Sequence, residues 1–194
     1  IAITAYSGEA LEQLGTRNLT DIGRFTAGVD MNNDKSLQPT YSIRGVETND
    51  WTIGSDPAVA VYVDGVYAAR GAGAEAAFID VERIEVLKGP QGTLFGRNAT
   101  GGAIHIVTTK PAFETEGRVK LTGGNYDRRD VSATASVPLI EDTLLSKLTL
   151  ASIQRDGYMD NIVSGQTAGS EDRKSAALQL RWNASEAVTV DTFT

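Results

Sequence analysis

Residues 84–111, IEVLKGPQGTLFGRNATGGAIHIVTTKP, hold five glycines between two β-branched runs. Such a loop can wrap phosphate with its backbone amides, so nucleotide chemistry is the first to test. A P-loop requires G-x-x-x-x-G-K-[ST], whose Lys meets the phosphate charge and whose hydroxyl meets magnesium. In this chain Gly96 is followed by Arg97 and Gly102 by Ala103, and no Lys stands in the required place. The run Gly71-Ala-Gly73-Ala-Glu-Ala76 fits G-x-G-x-x-[GA]. It trails its expected strand and lacks the acidic residue about 20 positions on that would hold a ribose.

Other reactive constellations are equally incomplete. Asp30, Asn32 and Asp34 open like a calcium loop, but Lys35 stands where a glycine is needed and Tyr41 where a bidentate Glu belongs, so they read as a turn. The single histidine, His105, shares a strand face with Ala103 and Val107, and the G-x-S-x-G elbow of a hydrolase is absent. His105 reads as a packed or lumen-facing side chain. Asn98-Ala-Thr100 is a glycosylation sequon by pattern alone. With no cysteine there is neither a disulfide framework nor a thiolate metal site. A net charge of -7 opposes a nucleic-acid partner, because phosphate binding needs clustered Lys and Arg. No catalytic residue, metal or cofactor is expected.

The elements that position these residues fall into two textures. With 194 residues and 41% apolar content the chain can bury a core. Two short helices are expected first: SGEALEQLG with Ser7 as N-cap and Gly15 as C-cap, and NLTDIGRFT from Asn18. They should lie on one small sheet with strands at 41–46, 58–65, 81–89 and 102–109. Pro111 closes this part. Beyond it VSATASV alternates strictly, with Val131, Ala133, Ala135 and Val137 opposite Ser132, Thr134 and Ser136. SKLTLAS and SAALQLRW repeat the pattern, joined by tight connections (VPLIEDT, NASEA) and one longer polar one, DGYMDNIVSGQTAGSEDRK.

That alternation suits a soluble antiparallel sandwich and a membrane barrel alike. No run approaches the roughly 18 apolar residues of a membrane helix, so any crossing would be by strands. The polar faces carry Ser, Thr, Gln and Arg, connections alternate short and long, and Trp182 falls where an aromatic girdle would place it. The chain opens and closes inside β-like runs, as a piece of a longer one does.

Four stretches in order resemble the plug domain of TonB-dependent outer-membrane receptors: IAITAYSGEALEQLG, the S-I-R-G of Ser42 to Gly45, V-Y-V-D-G-V-Y from Val61 to Tyr67, and the glycine-rich run. The resemblance implies an α+β plug domain over residues 1–111, a small mixed sheet with short helices. Residues 112–194 would then be antiparallel strands of a transmembrane β-barrel of about 22 strands, of which about five are present. It further implies an importer of the bacterial outer membrane in contact with its lipid. Its partners would be a small-molecule ligand such as a ferric siderophore, and the TonB protein, which grips a segment upstream of the plug. Cobalamin, sugar or another organic nutrient is the alternative cargo. A passive outer-membrane pore, and behind it a soluble nucleotide-using enzyme, are the rival readings.

By analogy with that family, ligand would meet the outward plug loops at Glu47, Asn49, Asp50, Trp51, Tyr67 and Arg70. Trp51 and Tyr67 offer stacking faces and Arg70 a cation. Contacts to the barrel wall would come from Arg44, Glu82, Arg83, Glu85, Lys88 and Arg97. The family usually has Arg in place of Lys88, and a Lys lacks the forked donor geometry of a bidentate lock. Gly89, Gly92, Gly96, Gly101 and Gly102 are expected to allow positive φ and close backbone approach in the tight turn between the last two plug strands.

Overall fold

The computed structural model describes residues 2–32, 39–48, 57–68, 78–92, 98–160, 162, 167–185 and 187–193. The chain forms two compact units, Ile1–Thr109 and Lys110–Thr194.

The first unit is built on a five-stranded mixed sheet in the order β1-β6-β7-β4-β5, comprising β1 (Ala2–Ser7), β4 (Val59–Val63), β5 (Val66–Tyr67), β6 (Val81–Lys88) and β7 (Gly102–Thr108). Only β4 and β7 run parallel. Ser7 ends β1 and caps α1 (Gly8–Gln13), accepting from the Ala10 amide at 3.2 Å. Gly15, just past the C-cap at Leu14, has φ +68 as expected of a helix stop. Asn18 caps α2 (Leu19–Gly23) in the same way. Both helices are too short to persist in isolation. They are held by burying Leu11, Leu19 and Ile22 against Ile84, Val86, Ile104 and Ile106 of the sheet, each side chain contributing about 1.5–3 kcal/mol.

Two expectations are corrected here. The stretch 41–46 does not join the main sheet; β3 (Thr40–Ile43) pairs antiparallel with β2 (Val29–Asn32) as a separate hairpin. Asp30 and Asn32, expected in a turn, lie on β2 as its exposed residues, while Val29 and Met31 face the core. The alternation that makes VDMN a strand was hidden by the resemblance of Asp30 and Asn32 to turn residues. Asp34 and Lys35 lie outside the described residues.

The second unit is one antiparallel sheet in the order β14-β13-β10-β9-β8, formed by β8 (Glu116–Gly124), β9 (Arg128–Ile140), β10 (Leu144–Arg155), β13 (Glu171–Ser185) and β14 (Val188–Phe193). A small hairpin, β11 (Met159–Asp160) with β12 (Thr167–Ala168), sits in the longer connection. That connection is shorter than its sequence suggested, because E-D-R-K already belongs to β13. Cross-strand partners sort cleanly by face. Val119, Ala133, Leu150 and Ala176 follow one another across the sheet, as do Lys120, Ser132, Ala151 and Ser175 on the other side. The apolar face is open, with Val119 and Leu121 69% and 73% exposed, and Leu148, Leu178 and Trp182 exposed as well. A sandwich would cover that face with a second sheet. A barrel wall leaves it bare for lipid.

Candidate functional site

The plug motifs turn out to be turn chemistry. In S-I-R-G, Ile43 and Val46 exchange both backbone hydrogen bonds, at 3.2 and 3.0 Å, around Arg44 (φ 55) and Gly45 (φ 77). In V-Y-V-D-G-V-Y, Val63 pairs with Val66 around Asp64 (φ 48) and Gly65 (φ 85). Positive φ at both central residues is the two-residue hairpin that follows the right-handed twist of its strands. Asp tolerates that conformation, and its carboxylate does more. Oδ1 of Asp64 accepts from the Thr108 amide at 3.0 Å and Oδ2 from the Thr108 hydroxyl at 2.6 Å. The β4–β5 hairpin is thereby pinned to the end of β7.

Of the residues expected to meet ligand, Glu47 is exposed just past the first turn. Tyr67 is half-buried, its ring 5.7 Å from that of Tyr62 and its hydroxyl accepting from the Asn98 side-chain amide at 3.1 Å. Burial pushes the Tyr62 phenol up, with Tyr67 adding to the effect. Asn98, whose Asn-Ala-Thr pattern reads as a sequon, is instead a buried residue at φ 72 that orients Tyr67. Asn49, Asp50, Trp51 and Arg70 lie outside the described residues, as do Arg97, Gly96 and the Gly71–Ala76 run.

The charged strand residues are engaged with their own unit. Arg83 donates from Nε to Glu85 at 2.8 Å and from Nη1 to Glu82 at 2.6 Å. The Arg83 hydrogen bond holds the Glu85 carboxyl below its ordinary range against the opposing effect of burial. His105 Nδ1 stands 3.6 Å from Glu85 Oε2, too far for a hydrogen bond, and its Nε2 is buried without a partner. Lys88 Nζ donates to the Ala27 carbonyl at 2.8 Å. Arg44 lies along the turn at Gly28 and beside Gly89. Asp64 was not singled out from sequence, and Asn98 only as part of a sequon. The signal for Asp64 was present in V-D-G, where an acid beside a turn glycine is an anchor waiting for donors.

The glycine run closes the β6–β7 hairpin, and its members differ. Gly102 is indispensable: a Cβ there would strike the Leu87 carbonyl oxygen and stand 2.8 Å from Ile43 Cδ1. Gly89 needs its positive φ of 107, and a Cβ at Gly101 would stand 3.1 Å from Val46. Gly92 departs from expectation, having open space around it and no positive φ.

Comparison with known proteins agrees with this architecture. The family model described as TonB-dependent Receptor Plug Domain matches residues 1–103. The pesticin receptor of Yersinia pestis is 32% identical over 167 residues, 85% of this chain and 24% of the receptor. The ferripyoverdine receptor of Pseudomonas aeruginosa is 29% identical over 161 residues, 82% of this chain and 19% of the receptor. Among solved structures, the ferric yersiniabactin uptake receptor of Yersinia pestis superposes with a TM-score of 0.84 at 31% identity, covering 94% of this chain and 29% of that one. The chain therefore spans about a quarter or less of the length of the curated relatives it matches.

Proposed function

Because this chain belongs to the TonB-dependent receptor plug domain family, a family of the outer membrane, we propose that it is the plug and opening wall of an importer for a ferric siderophore or similar iron chelate. The first unit serves as the plug, and β8–β14 as the first strands of a barrel that further strands complete. Ligand binds at the outer face and passes to the periplasm when the TonB system, driven by the inner-membrane proton gradient, displaces part of the plug. The observation that carries this reading is the division of the second sheet into a bare apolar face and a polar face directly after a family plug. Such a sheet is stable facing lipid on one side and a wet interior on the other. The cargo is supported by relatives named for ferripyoverdine and ferric yersiniabactin.

Outward loop residues of the plug, among them Glu47, Tyr67 and Arg70, recognise the chelate, and the charged row Glu82, Arg83, Glu85 and Lys88 meets the wall. The pairing inside that row favours a rigid, pre-organised polar surface over free charges. A passive pore of the same shape would conduct without energy. The deciding experiment measures accumulation of radiolabelled ferric siderophore in cells carrying the full-length receptor, with the proton gradient intact and collapsed. Accumulation that stops on collapse supports the importer, and accumulation indifferent to the gradient overturns it.

A further inference from the structure

The first residues of the second unit lie across the polar face of the wall sheet. Lys110 is close enough to Asp191 of β14 for their charges to act on one another, and the Ala112 amide donates to Ser136 Oγ of β9 at 2.7 Å. In the strand order β14-β13-β10-β9-β8, the connector thus passes from one edge strand toward the other, where β8 begins at Glu116.

Both footholds are held by the wall itself. Arg181 donates to Asp191 as a fork, from Nε to Oδ1 at 2.7 Å and from Nη2 to Oδ2 at 2.9 Å. Paired charge-assisted bonds fix the direction of the carboxylate as well as its charge. Ser136 is 1% exposed, and its hydroxyl donates to the Ser146 carbonyl at 3.2 Å while accepting from Ala112. Lys147, its register partner on β10, is buried beside it. One side chain therefore ties the connector and the neighbouring strand together.

Chain length gives these contacts their consequence. Thr109 ends the first unit, its amide donating to the Asp80 carbonyl at 3.1 Å, and Glu116 already belongs to β8. Fully extended, the chain from Thr109 to Glu116 reaches about 25 Å, but from Thr109 to Ala112 only about 10 Å. The clasp at Ala112 keeps the difference out of use. The two ends of the plug sheet also differ. β1 joins it at an edge, through β6 alone, whereas β7 is paired on both sides, with β6 and β4.

We propose that residues 110–112 are a travel-limiting strap, clasped by Ser136 and steered by Asp191, that keeps β7 tied to the wall while force enters the plug at β1. This deepens the importer reading and rests on it for the source of the force. A strand at an edge separates by losing one ladder. β7 would have to lose two, and its continuation the clasp as well. Deformation is therefore directed to the β1 side, and the plug is not drawn out as a body.

The test uses cells carrying the full-length receptor. Ala112→Cys with Ser136→Cys joins strap to wall by a disulfide, whose formation is read by thiol labelling. Uptake of radiolabelled ferric siderophore is expected at the wild-type rate with the bond closed, because the strap does not open during transport. Uptake that is lost on closure and restored by a reductant overturns the proposal. Ser136→Ala together with Asp191→Asn frees the strap without a cross-link, and decides where the disulfide does not form. The expected result is a severalfold fall in the concentration of vancomycin, a glycopeptide too large for the plugged barrel, that stops growth of cells with TonB but not of cells lacking it. An equal fall in both, as from a distorted wall, or no fall in either overturns the proposal. Wild-type uptake indifferent to TonB is the separate failure of the importer reading, and takes the strap's role with it.

Discussion

Asp64 and Thr108 are joined twice across 44 residues of chain, carboxylate to amide at 3.0 Å and carboxylate to hydroxyl at 2.6 Å. The pair locks the turn of β4–β5 to the end of β7, and so fixes where Tyr67 stands. Hydrogen bonds to a charged acceptor contribute about 1.5–3 kcal/mol. Asp64→Ala in the full-length receptor should therefore lower plug stability by about that amount, read as faster protease cleavage of the plug with barrel assembly unchanged. Asp64→Asn, which keeps one acceptor and tolerates positive φ, should recover part of it.

The glycines of the 89–102 turn should separate sharply. Gly102→Ala meets the Leu87 backbone and Ile43, neither of which is a flexible tip. Strain of about 1–3 kcal/mol or more should reduce the amount of assembled receptor in the membrane. Gly92→Ala faces open space and should leave that amount unchanged. Equal behaviour of the two would contradict the close packing of β7 under Ile43.

Acid should loosen the Arg83–Glu85 pair in a defined direction. The Glu85 carboxyl is held below its ordinary value chiefly by the Arg83 hydrogen bond. The stability it contributes is therefore complete above the unfolded value of about 4.3, and disappears as pH falls through the lower folded value. Denaturation of wild type and Glu85→Gln should differ at neutral pH and converge only as pH falls through the lowered folded value. A gap that persists unchanged into strong acid would mean that packing, not charge, sets the effect.

The two faces of the wall sheet should tolerate charge differently. Leu148 lies on the bare apolar face and Ala177 on the polar one, both exposed. Leu148→Arg near mid-strand should cost about 2–4 kcal/mol in folding into lipid vesicles, and Ala177→Arg about 1 kcal/mol or less. Reversed costs would turn the sheet inside out.

Trp51 and Arg70, taken from sequence as ligand contacts, carry the sharpest check on the outward loops. Trp51→Ala and Arg70→Ala in the full-length receptor should each lower ligand affinity severalfold while barrel assembly holds, as measured by equilibrium titration with a ferric siderophore. Unchanged affinity in both would remove them from the site.

Sequence by itself determined the local rules of this protein. Arg44-Gly45 and Asp64-Gly65 specify two-residue turns because both central positions need positive φ. Ser7 and Asn18 specify helix starts through their side-chain acceptors. The period-two pattern of β9, β10 and β13 specifies which side chains share a face, since register can slip only in pairs without inverting it. What alternation does not carry is the choice of partner. The pairing of β3 with β2, the parallel contact of β4 with β7, and the edge position of β1 beside β6 were decided by tertiary packing around Ile84, Ile104 and Ile43. The same holds for charge. Arg128, Arg155, Glu171 and Arg173 are scattered over 46 positions and form one ion cluster only where three strand ends meet. Electrostatic attraction depends on distance in space, and folding alone supplies that distance.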